Sequence, residues 1–315
     1  MVMLSKARLL VMGIALASAG IAQAAPTIFA YNATNNSLIS FDALTPGNLT
    51  SNVPLTGLAA GESLIGIDYR PATGTLYSVA ISATTSRVVT VNPTSGVVTA
   101  VGAGFTPLLA TAPFYGIDFN PVPDRIRVVN SSGLSIRLNP NDGALAGTDT
   151  PLAYVAGDPG VGTPTQVSQV AYTNNFAGTT VTTLFGIDFA RDVLVRIGGV
   201  DGTPSPNTGA LTTVGSLGVV TATPAGGFDI ETATGTAFAV LRVGTASNLY
   251  RVNLASGAAT LVGAVGGAAN VNGITIIPTP LAPTVPVPAL GNISLIMLIA
   301  GFLGLGVMLA GRRQA

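Results

Sequence analysis

Five hairpins whose turns end in glycine recur along the chain, and no other feature restricts the fold as sharply. They are LTPGNLT at Gly47, PTSGVVTAVG at Gly96, PNDGAL at Gly143, PNTGALTTVG at Gly209 and LASGAATLVG at Gly257, at intervals of 49, 47, 66 and 48 residues. Glycine closing a turn between alternating apolar flanks is a β-hairpin signal. A second strand-like element keeps nearly the same period. It is centred on Gly66 (LIGIDYRP), Gly116 (FYGIDFNP), Val170 (SQVAYTNN), Gly227 (GGFDIETATG) and Gly273 (NGITIIP), at steps of 50, 54, 57 and 46. Each unit reads as four short strands, for example LIGIDYRP, TLYSVAI, RVVTVNP and GVVTAVG. Four strands every ~40–50 residues describe the blades of a β-propeller.

The body from Ile28 to Ile277 spans 250 residues, enough for five such units. The first begins at its second strand, TIFAYNA, followed by SLISFDA and LTSNVPL; its missing first strand is NGITIIP at the far end. Closing the ring this way removes the exposed edges of an open array. The expectation is an all-β, five-bladed propeller whose closing blade is shared by both ends, plus one C-terminal transmembrane helix. Six blades is the nearest alternative, if the Gly/Pro/Asp-rich insertion AGTDTPLAYVAGDPGVGTPTQ after Gly143 hides strands. An open β-solenoid fits less well, because its coils are shorter than fifty residues.

The word Gly-Ile-Asp-aromatic occurs at Asp68, at Asp118 and again in LFGIDFARDVLVRI, residues 184–197. The third copy aligns with LYSVAISATTSRVVTV, the second and third strands of an earlier unit. One word in two structural slots marks scaffold rather than a catalytic signature.

Both ends read as addressing segments. Lys6 and Arg8, the apolar run Leu9–Ala19 and Ala22-Gln23-Ala24 form a secretory signal peptide over residues 1–24, the substrate of a signal peptidase. The propeller follows at 25–277, then a Pro-rich stalk and sorting motif at 278–291, and a helix with a basic tail at 292–315. Ile293–Ala310 contains one polar residue, Ser294, and at ~1.5 Å per residue spans ~27 Å, a bilayer's hydrocarbon core. Arg312 and Arg313 act as the membrane stop and place the preceding domain outside.

Without the four terminal basic residues the domain keeps nine arginines against thirteen acidic residues, a charge of −4. No basic stripe exists, which argues against a nucleic-acid partner. The chain has no cysteine and no histidine, which excludes thiol chemistry, Ser-His-Asp hydrolysis and His-ligated metals. Carboxylate chemistry and oxygen-ligated calcium remain. Asp68 and Asp118 lie on first strands, which line a propeller's channel, and Asp229 lies near the matching place. They suit either glycoside hydrolysis or, more plainly, acceptance of backbone N–H groups from the turn that follows each. Arg125, Arg127 and Arg137 form the densest basic group: a grip for an anionic glycan, or partners for Asp118 or Asp124. Asn141, Asp142 and Asp149 could supply calcium oxygens, although a glycine-ended turn explains the first two equally well. No other cofactor is expected. Tyr31, Tyr69, Tyr77, Phe114, Tyr115 and Phe119 read as core between blades.

Val287-Pro288-Ala289-Leu290, the apolar helix and Arg-Arg together resemble bacterial C-terminal sorting tails of the Ile-Pro-Thr-Leu type, relatives of Pro-Glu-Pro tails. The resemblance implies an exosortase-like partner acting near those four residues while the helix holds the chain in the bilayer. Val stands for Ile and Ala for Thr, and Trp-Gly after the motif is missing. A single-pass anchor satisfies the same helix. Across 28–277 the pattern resembles a family of exported bacterial propeller-like domains of unknown function, through YGIDFNPVPDRIRVVNSSGLSIRLNPNDGAL at 115–145, VAYTNN at 170–175 and LYRVNLASGAATLVG at 249–263. The chain therefore reads as an exported, membrane-anchored or surface-sorted, non-enzymatic module that binds a glycan or envelope protein, with the insertion near 146–166 as its variable element. The alternative is a carboxylate-dependent glycan-processing enzyme.

Overall fold

A computed structural model of the protein describes residues 25–111, 114–267 and 269–277. The signal peptide, stalk, sorting motif, membrane-stop arginines and apolar helix expected from the sequence lie outside the described residues. Within them there is no α-helix, and no helix long and apolar enough to cross a membrane.

Among the described residues, twenty-one strands form five sheets. β1 (Thr27–Asn32), β2 (Ser37–Asp42) and β3 (Leu49–Pro54) open the described chain, and β4 (Ser63–Arg70), β5 (Thr75–Ile81), β6 (Ser86–Val91) and β7 (Val98–Val101) make the second blade. The third holds β8 (Tyr115–Asn120), β9 (Arg125–Asn130), β10 (Ser135–Leu138) and β11 (Leu145–Thr148). The fourth holds β12 (Ala153–Tyr154), β13 (Val167–Tyr172), β14 (Leu184–Asp188), β15 (Val193–Ile197) and β16 (Ala210–Ser216). The fifth holds β17 (Thr223–Ile230), β18 (Ala237–Val243), β19 (Ala246–Val252) and β20 (Ala259–Ala264), and β21 (Val271–Ile276) ends the described chain. β21 pairs antiparallel with β1, Ile28 opposite Ile276, so the first blade is completed by the far end of the chain.

The inner strands are β21, β4, β8, β13 and β17, the five elements whose period the sequence displays. They pack in a ring and are buried on both faces, as β13 is along its whole length. Outermost strands such as β3 alternate between half-buried and exposed residues, as one solvated face requires. The core consists of five apolar clusters that join successive blades. Val88 of β6 meets Ile117 and Ile126 of the third blade, for example, and Ile28 and Ile274 of the first meet Phe238 and Val240 of the fifth. Burial is thus spent at the contacts between blades.

The insertion adds no sixth blade. Its first residues complete β11, and β12 runs parallel to β16 as a fifth strand on the fourth blade's outer edge. Tyr154 is buried there, with its hydroxyl donating to Asp188 Oδ2 at 2.7 Å and Arg191 over its ring at 4.7 Å. Asp158 accepts from the Thr213 backbone N–H at 2.6 Å. This half of the expected variable element is built into the sheet.

The glycine-ended turns do more than reverse the chain. Each approaches the end of the preceding blade's outer segment, and a Cβ on Gly96, Gly143, Gly209 or Gly257 would lie 2.1, 2.1, 2.4 and 2.4 Å from a backbone carbonyl oxygen of residue 54, 101, 151 or 215. Gly47 departs from the pattern: it is not left-handed, and its nearest neighbour is 3.6 Å away.

Candidate functional site

Strand alternation and the ring of inner strands bring Asp68, Asp118 and Asp229 together, with carboxylate oxygens within 4.8 Å of one another and side chains buried. The expectation that each accepts from the turn behind it is replaced by another geometry, because the nearest free donors belong to the neighbouring inner strand. Asp68 Oδ2 accepts the Phe119 N–H at 2.7 Å, Asp118 Oδ1 the Tyr172 N–H at 3.0 Å, and Asp229 Oδ2 the Ile276 N–H at 2.6 Å. Asp68 and Asp229 also accept the N–H of the residue after them, at 2.8 and 2.6 Å. Thr275, at the matching place on β21, continues the pattern: its Oγ1 accepts the Tyr69 N–H at 3.3 Å and donates to Asp68 Oδ1 at 2.9 Å. Ala171 fills the fifth place on β13. Thus a side chain on four of five inner strands fastens the next strand in the ring.

Burial, and the charge of Asp229 beside it, push the Asp68 carboxyl well above the usual carboxylate range. Burial and the charges of Asp68 and Asp229 do the same to Asp118, and burial pushes Asp229 up to about 7.

The next layer of the channel is backbone. Gly66, Gly116, Gly227 and Gly273 stand in it, and a Cβ on Gly273 would fall 2.6 Å from Gly66 Cα. β13 contributes Gln169 instead, whose amide lies against Gly226, leaving a void of only about 10 Å³. The repeat sets Val170 level with these glycines; the register of β13 puts Gln169 there instead, so SQVAYTNN has Gln where the other first strands have Gly. A glycosidase holds its carboxyl pair ~5–9.5 Å apart around a sugar and water. These three aspartates are buried inside a closed channel that has room for neither.

The arginine group separates. Arg127 is buried and joins two blades: its guanidinium pairs with Asp149 and donates to Ser135 Oγ at 2.9 Å, to Tyr172 Oη at 3.3 Å and to Asn207 Oδ1 at 2.5 Å. Arg137 holds the other side of Asp149, Nη2 to Oδ1 at 2.7 Å. The partner is therefore neither Asp118, which is occupied in the channel, nor Asp124, which pairs with Arg70. Arg125 donates only to carbonyls of its own loop, Pro123 at 3.1 Å and Asp124 at 2.8 Å. The calcium candidates do not converge, because Asp149 is taken by two arginines while Asp142 accepts the Ala144 N–H at 3.0 Å within its turn. The expected core aromatics are buried, except that Phe114 is exposed.

Among the described residues, grooves open between blades. One of about 300 Å³ lies between the third and fourth blades beside Arg137, Asn207, Val122 and Val181. Another of about 460 Å³, lined by Thr84, Thr85, Arg87, Phe105 and Leu108, lies between the second and third. Glu62 fixes the Arg87 guanidinium at 2.6 and 2.8 Å and is itself held down at about 2 by that contact.

Among solved structures the chain is similar to one from a nidogen/laminin complex (12% identity, TM-score 0.46, covering 80% of this chain and 98% of that one). It is similar to Myxococcus xanthus glutaminyl cyclase (13%, 0.45, 75% and 86%). It is also similar to an engineered GH43 glycoside hydrolase with endo-xylanase and exo-arabinofuranosidase activity (11%, 0.48, 81% and 53%). Comparison with curated proteins finds no match. A family model does match, over residues 37–275, and the chain belongs to that family, the domain of unknown function DUF4394.

Proposed function

We propose that the protein is an exported propeller, membrane-anchored or sorted to the surface, that serves the cell envelope or extracellular matrix as a non-catalytic binding or structural module. The observation that carries this reading is the use made of the channel aspartates: the side chains best suited to chemistry are sealed inside the ring and fasten it. The glycan-hydrolase alternative draws no support from them, since they offer no accessible pair.

The ends of the domain add a direction. Ile277 N–H donates to the Thr27 carbonyl at 3.2 Å, so both ends leave from one face. A stalk and sorted tail continuing from Ile277 would turn the opposite face outward. That face carries the β5–β6 and β7–β8 connections, and with them the groove of Thr84, Thr85 and Leu108. Hydroxyls beside a half-apolar floor suit a neutral saccharide or an extended peptide.

The test is a panel of purified envelope polysaccharides and matrix proteins presented to the full-length protein. Capture without turnover is expected, lost in Leu108→Arg while thermal stability stays within ~0.5 kcal/mol, because Leu108 is an exposed loop residue. Release of reducing sugar from any member of the panel would overturn the reading.

A further inference from the structure

We propose that Asp68, Asp118 and Asp229 form a proton-dependent latch: protonated, they tie neighbouring inner strands together, and ionised, they drive those strands apart. The geometry has two parts. Each carboxyl accepts a backbone N–H from the next inner strand, so the group that titrates is also the fastener. The three lie within 4.8 Å of one another in a closed channel, so their charges cannot be separated without opening the ring.

No basic side chain answers them. Ala171 of β13 and Thr275 of β21 complete the layer without charge. On the adjacent second strands, Tyr77 stands opposite Asp68, Arg127 opposite Asp118 and Phe238 opposite Asp229. Tyr77 donates to the Pro140 carbonyl, Arg127 turns to Asp149 and Tyr172, and Arg251 lies over the outer side of Phe238. Arg70, two residues beyond Asp68, is engaged by Asp124.

The sign follows from linkage. Folded-state values above the unfolded one, ~3.9 for Asp, make the folded chain bind more protons. The stabilisation is complete below ~pH 4 and is lost as pH rises through the folded values, about 7 for Asp229. There is no histidine, Glu62 titrates near about 2, and the shifted tyrosines are raised above their ordinary value.

The experiment follows thermal unfolding of the full-length protein in detergent from about pH 5 to about pH 9, with chelator and with millimolar calcium. Tm should fall by about 10 °C across the range, equally in both. Asp118→Asn is the informative variant. Asp118 holds one backbone N–H, which the amide oxygen can still accept, while the amide carries no charge at any pH in the range. Its Tm should fall about half as far and exceed that of the natural chain at about pH 9. A flat profile for the natural chain overturns the latch, as does an Asp118→Asn profile parallel to it. A Tm raised by calcium with the slope abolished also overturns it, since a cation rather than protons would then hold the carboxylates. If Asp118→Asn does not fold, the profile of the natural chain with and without calcium still decides.

Discussion

Arg127→Met is expected to lower the stability of the domain by about 4 kcal/mol, while Arg125→Met, two residues away on the same strand, changes it by no more than ~0.5 kcal/mol. Arg127 is buried, and its guanidinium is shared among Asp149, Ser135, Tyr172 and Asn207, which belong to two blades. Methionine keeps much of the stem but removes every donor. Asp149 then retains only Arg137, and Asn207 and Ser135 lose their partner. Breaking a buried ion pair from one side typically costs ~3–5 kcal/mol because the remaining charge stays desolvated. Arg125 contacts only carbonyls of its own loop, so water replaces it. In thermal melts the first variant should unfold about 10 °C lower and the second within a degree or two. Equal effects would mean that the arginines act as one surface group.

The second large effect concerns Gly143. A methyl group there would sit 2.1 Å from the Val101 carbonyl oxygen, at a φ of +72°. Gly235 has nearly the same φ, +68°, but open space around it. Alanine at Gly235 meets only the left-handed backbone preference, about 1 kcal/mol. Alanine at Gly143 meets that and must also push the turn off the second blade, for about 3 kcal/mol in total. Chemical denaturation of the two variants separates conformational strain from crowding between blades. If they are equally stable, the turns do not fasten the ring.

These two sites show what the sequence conveys and what it withholds. Periodicity located all five inner strands, the two slots of Gly-Ile-Asp and the blade shared between NGITIIP and TIFAYNA, because burial on both faces and glycine-closed turns leave a local record. The partner of Arg127 left none. Asp149 lies 22 residues away and reaches it through the β10–β11 hairpin, whereas Asp118 and Asp124 look nearer in the chain. The channel aspartates were legible as a set, but the N–H that donates to each lies about fifty residues downstream, in a register only the closed ring defines. Gln169 was missed because the repeat sets Val170 in the glycine slot, one residue out of register, and Thr275 was missed because NGITIIP has no aspartate to mark its place. The insertion read as a loop because a two-residue strand such as Ala153–Tyr154 has no period to detect.

The ring is closed by the two ends of its own domain, and a cross-link tests that closure most directly. Thr27 and Ile277 face each other at the end of the β1–β21 pair, both partly exposed, in a chain without cysteine. In the Thr27→Cys, Ile277→Cys double variant, mild oxidation of the folded protein should give one intramolecular disulfide in a monomer. Closing a loop of nearly the whole domain should raise stability by about 5 kcal/mol. Free thiols in the folded monomer, or only cross-linked dimers, would contradict it.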